Sequence, residues 1–231
     1  MGRTPIQDNS AAGDNKWRTK LGSDPNTSSS VAHSSALDEE TARAEVYGLL
    51  AQLYYAPATP ALLDALRVAV TEAPAAGAFL EESWRNLVAA ARDLDDRSVA
   101  AEYEALFGGV GKPEIYLFGS HYLSGFLNEK PVARLRTELA ALGLVRDDSM
   151  PETEDHIAYL CEVMRYLIAG DDVEVANLTR QRRFFAAHLQ PWVNALCDAI
   201  AAHPTAHFYA TLAGFTRAFM SIEAQGFDML D

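Results

Sequence analysis

Three stretches of this 231-residue chain carry residue types that could do chemistry. The first is Gly108-Gly109-Val110-Gly111-Lys112-Pro113, which invites comparison with a phosphate-binding loop. Such a loop needs Gly five residues before the Gly-Lys pair and Ser or Thr after the Lys to reach magnesium. Leu106 and Pro113 occupy those positions, so the pattern fails and a linker is the better reading. The second is His203 and His207, four residues apart, but Pro204 intervenes and no acidic ligand stands at a metal-binding offset. No HExxH, GxSxG or dinucleotide fingerprint occurs. Catalysis, a resident cofactor and a metal are therefore not expected.

The third stretch, Met150–Ala169, is the most informative. On a helix, Ile157, Leu160, Cys161, Met164, Leu167 and Ile168 form an apolar stripe. Asp155, Tyr159, Glu162 and Tyr166 are spaced by four, three and four, within a narrow arc on another face, and His156 lies at the edge of that arc. Alternating carboxylates and tyrosines can hold arginines by charge-assisted hydrogen bonds and stacking. A plainer reading stands beside this one. Glu152, Glu154 and Asp155 would occupy a first helical turn, where the macrodipole favours carboxylates whatever the function, and tyrosines at helical spacing often serve packing. From Asp147 to Glu174 there are nine acids and one base, Arg165, which concentrates negative potential where a basic peptide would be drawn.

The elements that must position these residues are helical. Ala and Leu dominate, and no strand is expected. Residues 1–36 are poor in large apolar side chains and read as a disordered tail, leaving 37–228 as the folded domain. Helices are expected from Leu37 to Pro57 and from Pro60, capped by Thr59, to about Ala73. Others fit 78–94, a helix capped by Ser98 and ending at Phe107, Ser120–Leu127, and one opened by Pro131 and closed by Gly143. Ser149-x-x-Glu152 resembles a capping box that starts a helix reaching Ala169. Helices then fit 172–189, 191–202 and 205–224. The fold class is all-α, a multi-helix bundle, possible as two lobes joined by a hinge at 108–119. Ile115, Tyr116, Leu117 and Phe118 lie in that Gly/Pro loop, so they must fold back on the core or form a binding surface.

The net charge of −13 disfavours nucleic acid and suits a basic partner, although acidity by itself also serves solubility. Cys161 and Cys197 are far apart and fall on apolar faces, as small buried hydrophobes. No run of 18 apolar residues or secretory signal is present, so stable membrane insertion is not expected.

Several motifs together resemble the TorD/DmsD (NarJ-type) family of redox-enzyme maturation chaperones. They are Glu102-Tyr103-Glu104-Ala105-Leu106-Phe107 before the Gly-rich loop, Ser120-x-Tyr122-Leu123, and Gly143. Asp155-His156-Ile157-Ala158 with Glu162-x-Met164 and Leu167 follows, then Phe184-Phe185, His188-Leu189 and Trp192, and lastly Phe208-Tyr209-x-x-Leu212-Ala213. Glu154 and Leu160 depart from the family pattern, which has Pro and Glu there. The resemblance implies a cytoplasmic helical chaperone, monomer or homodimer. It would bind the twin-arginine signal peptide and the catalytic subunit of a molybdoenzyme in anaerobic respiration, delay export and assist insertion of the molybdenum cofactor. It implies partner-binding roles for Asp155 and His156, a groove bordered by Tyr116, Phe118, Ser120 and Tyr122, and weak guanine-nucleotide binding in some members. With the acidic helix, the expected signal-peptide site is Asp155, His156, Tyr159, Glu162, Glu152, Tyr116, Phe118, Ser120 and Tyr122. A helical adaptor without a signal-peptide role, or a nucleotide-binding enzyme, are the rival readings.

Overall fold

The computed structural model describes residues 17–19, 35–71, 78–108, 112–125, 127, 130–147 and 149–229. Most of the 1–36 tail, and the 109–111 part of the Gly-rich loop, lie outside the described residues. The elements run β1 (Trp17–Thr19), α1 (Ser35–Tyr55), α2 (Pro60–Val68), α3 (Ala78–Asp93), α4 (Asp96–Phe107) and α5 (Gly119–Ser124). They continue α6 (Lys130–Ala141), β2 (Leu144–Arg146), α7 (Ile157–Ala169), α8 (Leu178–His188), α9 (Val193–Ala201) and α10 (Phe208–Asp228). The fold is all-helical apart from one short ribbon. β1 and β2 pair antiparallel, Trp17 opposite Arg146 and Thr19 opposite Leu144, which the helical composition does not announce.

α7 is the central helix because it is apolar almost all round. Its expected stripe is buried, and Ala158, Tyr159 and Val163 are buried as well. α1 lies along it. Ala44, Gly48 and Ala51 of α1 let the two helices approach, and a Cβ at Gly48 would stand 3.1 Å from Cδ of Arg165 on α7. One hydrophobic core runs through residues on both sides of the 108–118 segment. Polar contacts tie the ends of the chain together. Arg43 on α1 donates twice to Glu223 on α10, at 2.7 and 2.8 Å, and the buried Tyr47 hydroxyl donates to the same carboxylate at 3.0 Å. Both cysteines are buried, and desolvation raises the Cys161 thiol pKa and pushes Cys197 up to about 11.

Several helix ends differ from those the local sequence suggests, most because a side chain captures backbone groups. α4 starts at Asp96, since Asp95 accepts the Ser98 N–H at 2.8 Å and is the cap in place of Ser98. α2 stops at Val68, where Arg92 donates to the carbonyls of Arg67 and Ala69 at 2.8 and 3.0 Å. α5 ends at Ser124 because Gly125 turns left-handed (φ 77°). Gly143 (φ 73°) closes α6 as expected. α8 starts only at Leu178, where Asn177 accepts the Arg180 N–H at 3.1 Å, after Asp172 has held a turn by accepting from Glu174 N at 3.0 Å.

α10 begins at a buried carboxylate from another helix. Glu102, inside α4, accepts the backbone N–H groups of His207, Phe208 and Tyr209 at 2.8, 3.1 and 2.8 Å. These are free donors at a helix start, and a carboxylate suits both their hydrogen bonds and the positive end of the dipole. Replacing Glu102 by Ala leaves those buried groups unpaired, at a cost of about 2 kcal/mol. For a domain of this size the thermal midpoint should fall by about 4–8 °C, read by calorimetry or circular dichroism.

Candidate functional site

The residues singled out by sequence come together around the start of α7, but not on one helical face. α7 does not begin at Ser149. Ser149 folds back on Asp147, donating to its Oδ1 through N and Oγ at 3.0 and 2.8 Å, and Pro151 lies in the connecting loop. The cap is His156, whose Nδ1 accepts the Ala158 N–H at 3.2 Å. That bond requires Nδ1 to be unprotonated, which places the proton of the neutral ring on Nε2.

Asp155 precedes the helix and is 4% exposed. Its Oδ2 accepts the Ser120 N–H at 2.8 Å and its Oδ1 accepts the Thr153 hydroxyl at 2.6 Å. Its carbonyl accepts Gly119 N–H at 3.0 Å, and Ile157 N–H donates to the Leu117 carbonyl at 2.8 Å. Phe118 and His156 thereby face each other across a single antiparallel bridge, with rings edge to face at 5.0 Å. The expectation that Asp155 shares an exposed arc with Glu162 is therefore corrected: both Asp155 oxygens face inward donors.

The apolar cluster of the loop divides by alternation. Ile115 and Leu117 point into the core, and Tyr116 and Phe118 stay half-buried on the other side, as an extended segment requires. From there an aromatic row continues. Tyr116 stacks on His121 at 4.3 Å, the Tyr122 ring stacks on Trp192 at 5.5 Å, and the Tyr122 hydroxyl donates to the Tyr116 carbonyl at 2.9 Å.

Tyr159 and Glu162 open elsewhere, into a groove of about 780 Å³ between α1 and α7. Its floor is Ala44, Gly48, Ala51 and Ala158, with Tyr55 and Tyr159 5.8 Å apart at one end. Glu45 stands exposed on the α1 side. Glu162, half-buried on the α7 side, pairs with Arg165 at 2.9 Å. Burial first, and then Tyr55, raise the Tyr159 phenol pKa, and the Glu152 backbone opposes the shift. Glu152 is half-buried in the loop beside Tyr159. Tyr166 is half-buried further along α7.

Sequence reasoning missed Glu45 and Arg136. Nothing in local spacing marks Glu45, because the groove is made by a helix more than a hundred residues away. Arg136 on α6 holds the buried Glu154 through two bonds of 2.9 Å. That neutralises one acid in the stretch expected to attract a basic peptide, and Asp155 is buried, while Asp171, Asp172 and Glu174 remain exposed. Among the described residues no group of three or more His, Cys, Asp and Glu is placed to hold a metal, and no helix is long and apolar enough to cross a membrane.

A protein-family model described as nitrate reductase delta subunit matches residues 73–198, which is more than half the chain and runs from before α3 into α9. The chain belongs to this NarJ/TorD family. Chaperone protein TorD from Vibrio cholerae is 26% identical over 204 residues, covering 81% of this chain and 93% of that relative. Chaperone protein TorD from Vibrio parahaemolyticus is 24% identical over 199 residues, covering 79% and 93%. As a member of this family the protein is a redox-enzyme maturation chaperone of the TorD kind and not an enzyme.

The Glu154–Arg136 pair gives this junction a pH dependence. Burial alone would raise the Glu154 pKa, but the Arg136 hydrogen bonds, a backbone bond and nearby cations outweigh it, and the net shift is downward. A lowered folded-state pKa contributes stability that is present above the unfolded value of about 4.3 and is lost as pH falls through the folded value. Arg136→Gln should therefore be less stable than the parent at pH 7. The gap should close as pH falls below about 4, measured by urea unfolding at a series of pH values.

Proposed function

We propose that this protein is a cytoplasmic, system-specific chaperone. It binds the twin-arginine signal peptide and the apo catalytic subunit of a molybdoenzyme, delays export, and assists insertion of the molybdenum cofactor. The observation that carries the reading is the α1/α7 groove, where an apolar, small-residue floor runs between Glu45 and Glu162 with tyrosines at one end. A signal peptide has two handles, adjacent arginines and an apolar stretch, and the groove complements both. The Glu162–Arg165 pair joins residues three apart on a partly exposed helix surface. Such pairs contribute only a few tenths of a kcal/mol, so an incoming arginine can displace Arg165 at little cost. The protein's net charge of −13 speeds encounter with a basic peptide, and apolar contact slows its release.

Within this reading the site residues divide by task. Glu162 and Tyr159 contact the peptide from α7, with Glu152 beside them. Tyr116, Phe118 and Tyr122 offer the half-buried aromatic row to its apolar part. Asp155, His156 and Ser120 act by holding α5 and the 115–118 segment against α7, since their polar groups face one another and the backbone.

Isothermal titration of the full chain with a twin-arginine signal peptide tests this. Glu45→Gln with Glu162→Gln should weaken binding by about ten- to a hundredfold, the value of losing charge-assisted hydrogen bonds, with little change in thermal midpoint. Unchanged affinity would overturn the groove assignment. No binding of any twin-arginine peptide by the parent protein would overturn the signal-peptide reading and favour an adaptor role.

A further inference from the structure

A second cavity, of about 640 Å³, lies between α5, α6 and α8, with Asp155 in its wall. Its charge is of the opposite kind. Lys130 and Arg134 stand one turn apart on α6, and Arg183 faces them from α8. The carboxylates in its wall are already engaged. Glu138 is held by His188 Nε2 at 2.9 Å and Arg183 at 3.3 Å, and Asp155 accepts from Ser120 N and Thr153. Lys130 and Arg134 have no ion-pair partner among the described residues. In a chain of net charge −13, two uncommitted cations on one cavity rim form a local reversal of potential.

The cavity also holds an unpaired buried group. Ser120 lines it, is 0% exposed, and its hydroxyl has no hydrogen-bond partner among the described residues. A buried hydroxyl left unpaired is costly, so an acceptor supplied by a ligand would be favoured there. The remaining wall is apolar, from Leu123, Leu160 and the Trp192 ring. The volume is in the range of about 300–1,000 Å³ typical of small-molecule sites.

We propose that this cavity binds an oxyanion, a phosphate or carboxylate, carried on a compact apolar body. Lys130 and Arg134 hold the charge, the Ser120 hydroxyl donates to one of its oxygens, and the apolar wall takes the body. The inference does not rest on the signal-peptide reading, because its ligand is of opposite sign and the charge is held by Lys130 and Arg134, which that reading does not use.

The test is titration of the full chain at low salt with phenyl phosphate and with benzoate, using inorganic phosphate and benzyl alcohol as controls for body and charge. At least one aryl anion should bind saturably at one site and benzyl alcohol should not; whichever anion binds tighter identifies the group. Arg134→Gln and Lys130→Gln should each weaken binding about tenfold. Ser120→Ala should weaken it too while leaving the ligand-free thermal midpoint unchanged or raised, because the hydroxyl it removes has no internal partner. Signal-peptide affinity should be the same in the Arg134→Gln and Lys130→Gln variants. Absence of aryl-anion binding, binding insensitive to all three substitutions, or a midpoint lowered by several degrees in ligand-free Ser120→Ala would overturn the proposal.

Discussion

The junction between the 115–120 segment and the start of α7 is the constraint on which the candidate sites depend. It consists of one antiparallel bridge, two backbone hydrogen bonds, and one carboxylate, Asp155, that accepts from Ser120 N–H. Its groups are buried, so each bond is formed where water cannot substitute for it. The bridge decides that Tyr116 and Phe118 stay half-exposed while Ile115 and Leu117 enter the core. It also decides where α7 starts, and hence which of its residues look toward α1.

From that junction two surfaces of opposite character diverge. Toward α1 the groove is apolar with acidic edges. Toward α6 and α8 the cavity is apolar with basic edges. Asp155 lies in the wall of the second with its charge turned to internal donors, and Glu154 beside it in sequence is bound by Arg136. Under the proposed function, these internal bonds keep both acids from competing with Glu45 and Glu162 for a basic segment.

Long-range carboxylates recur as the device that fixes helices in place. Glu102 starts α10 from inside α4, and Glu223 draws Arg43 and Tyr47 of α1 onto α10. In each case the acid is buried and satisfied by several donors, the condition under which a buried charge is tolerated. The result is a bundle whose first and last helices are tied to each other by a buried charged cluster.

The amino-acid sequence by itself determined the helical class, most of the helices, and the apolar stripe of α7 from Ile157 to Ile168, because these depend on periodicity within a few turns. It also determined the Gly143 stop and the burial of both cysteines. Family membership was legible for the same reason, since its motifs are local words in a fixed order. Only the tertiary structure decided that Asp155 lies before the helix and not on its face, because the Ser149 capping pattern lost to a His156 cap stabilised by the 115–120 segment. Only it decided that Glu102 is a cap, that β1 finds β2, and that Glu45 faces Glu162. The last three join residues more than a hundred positions apart, and no local spacing encodes which distant donor a carboxylate will meet.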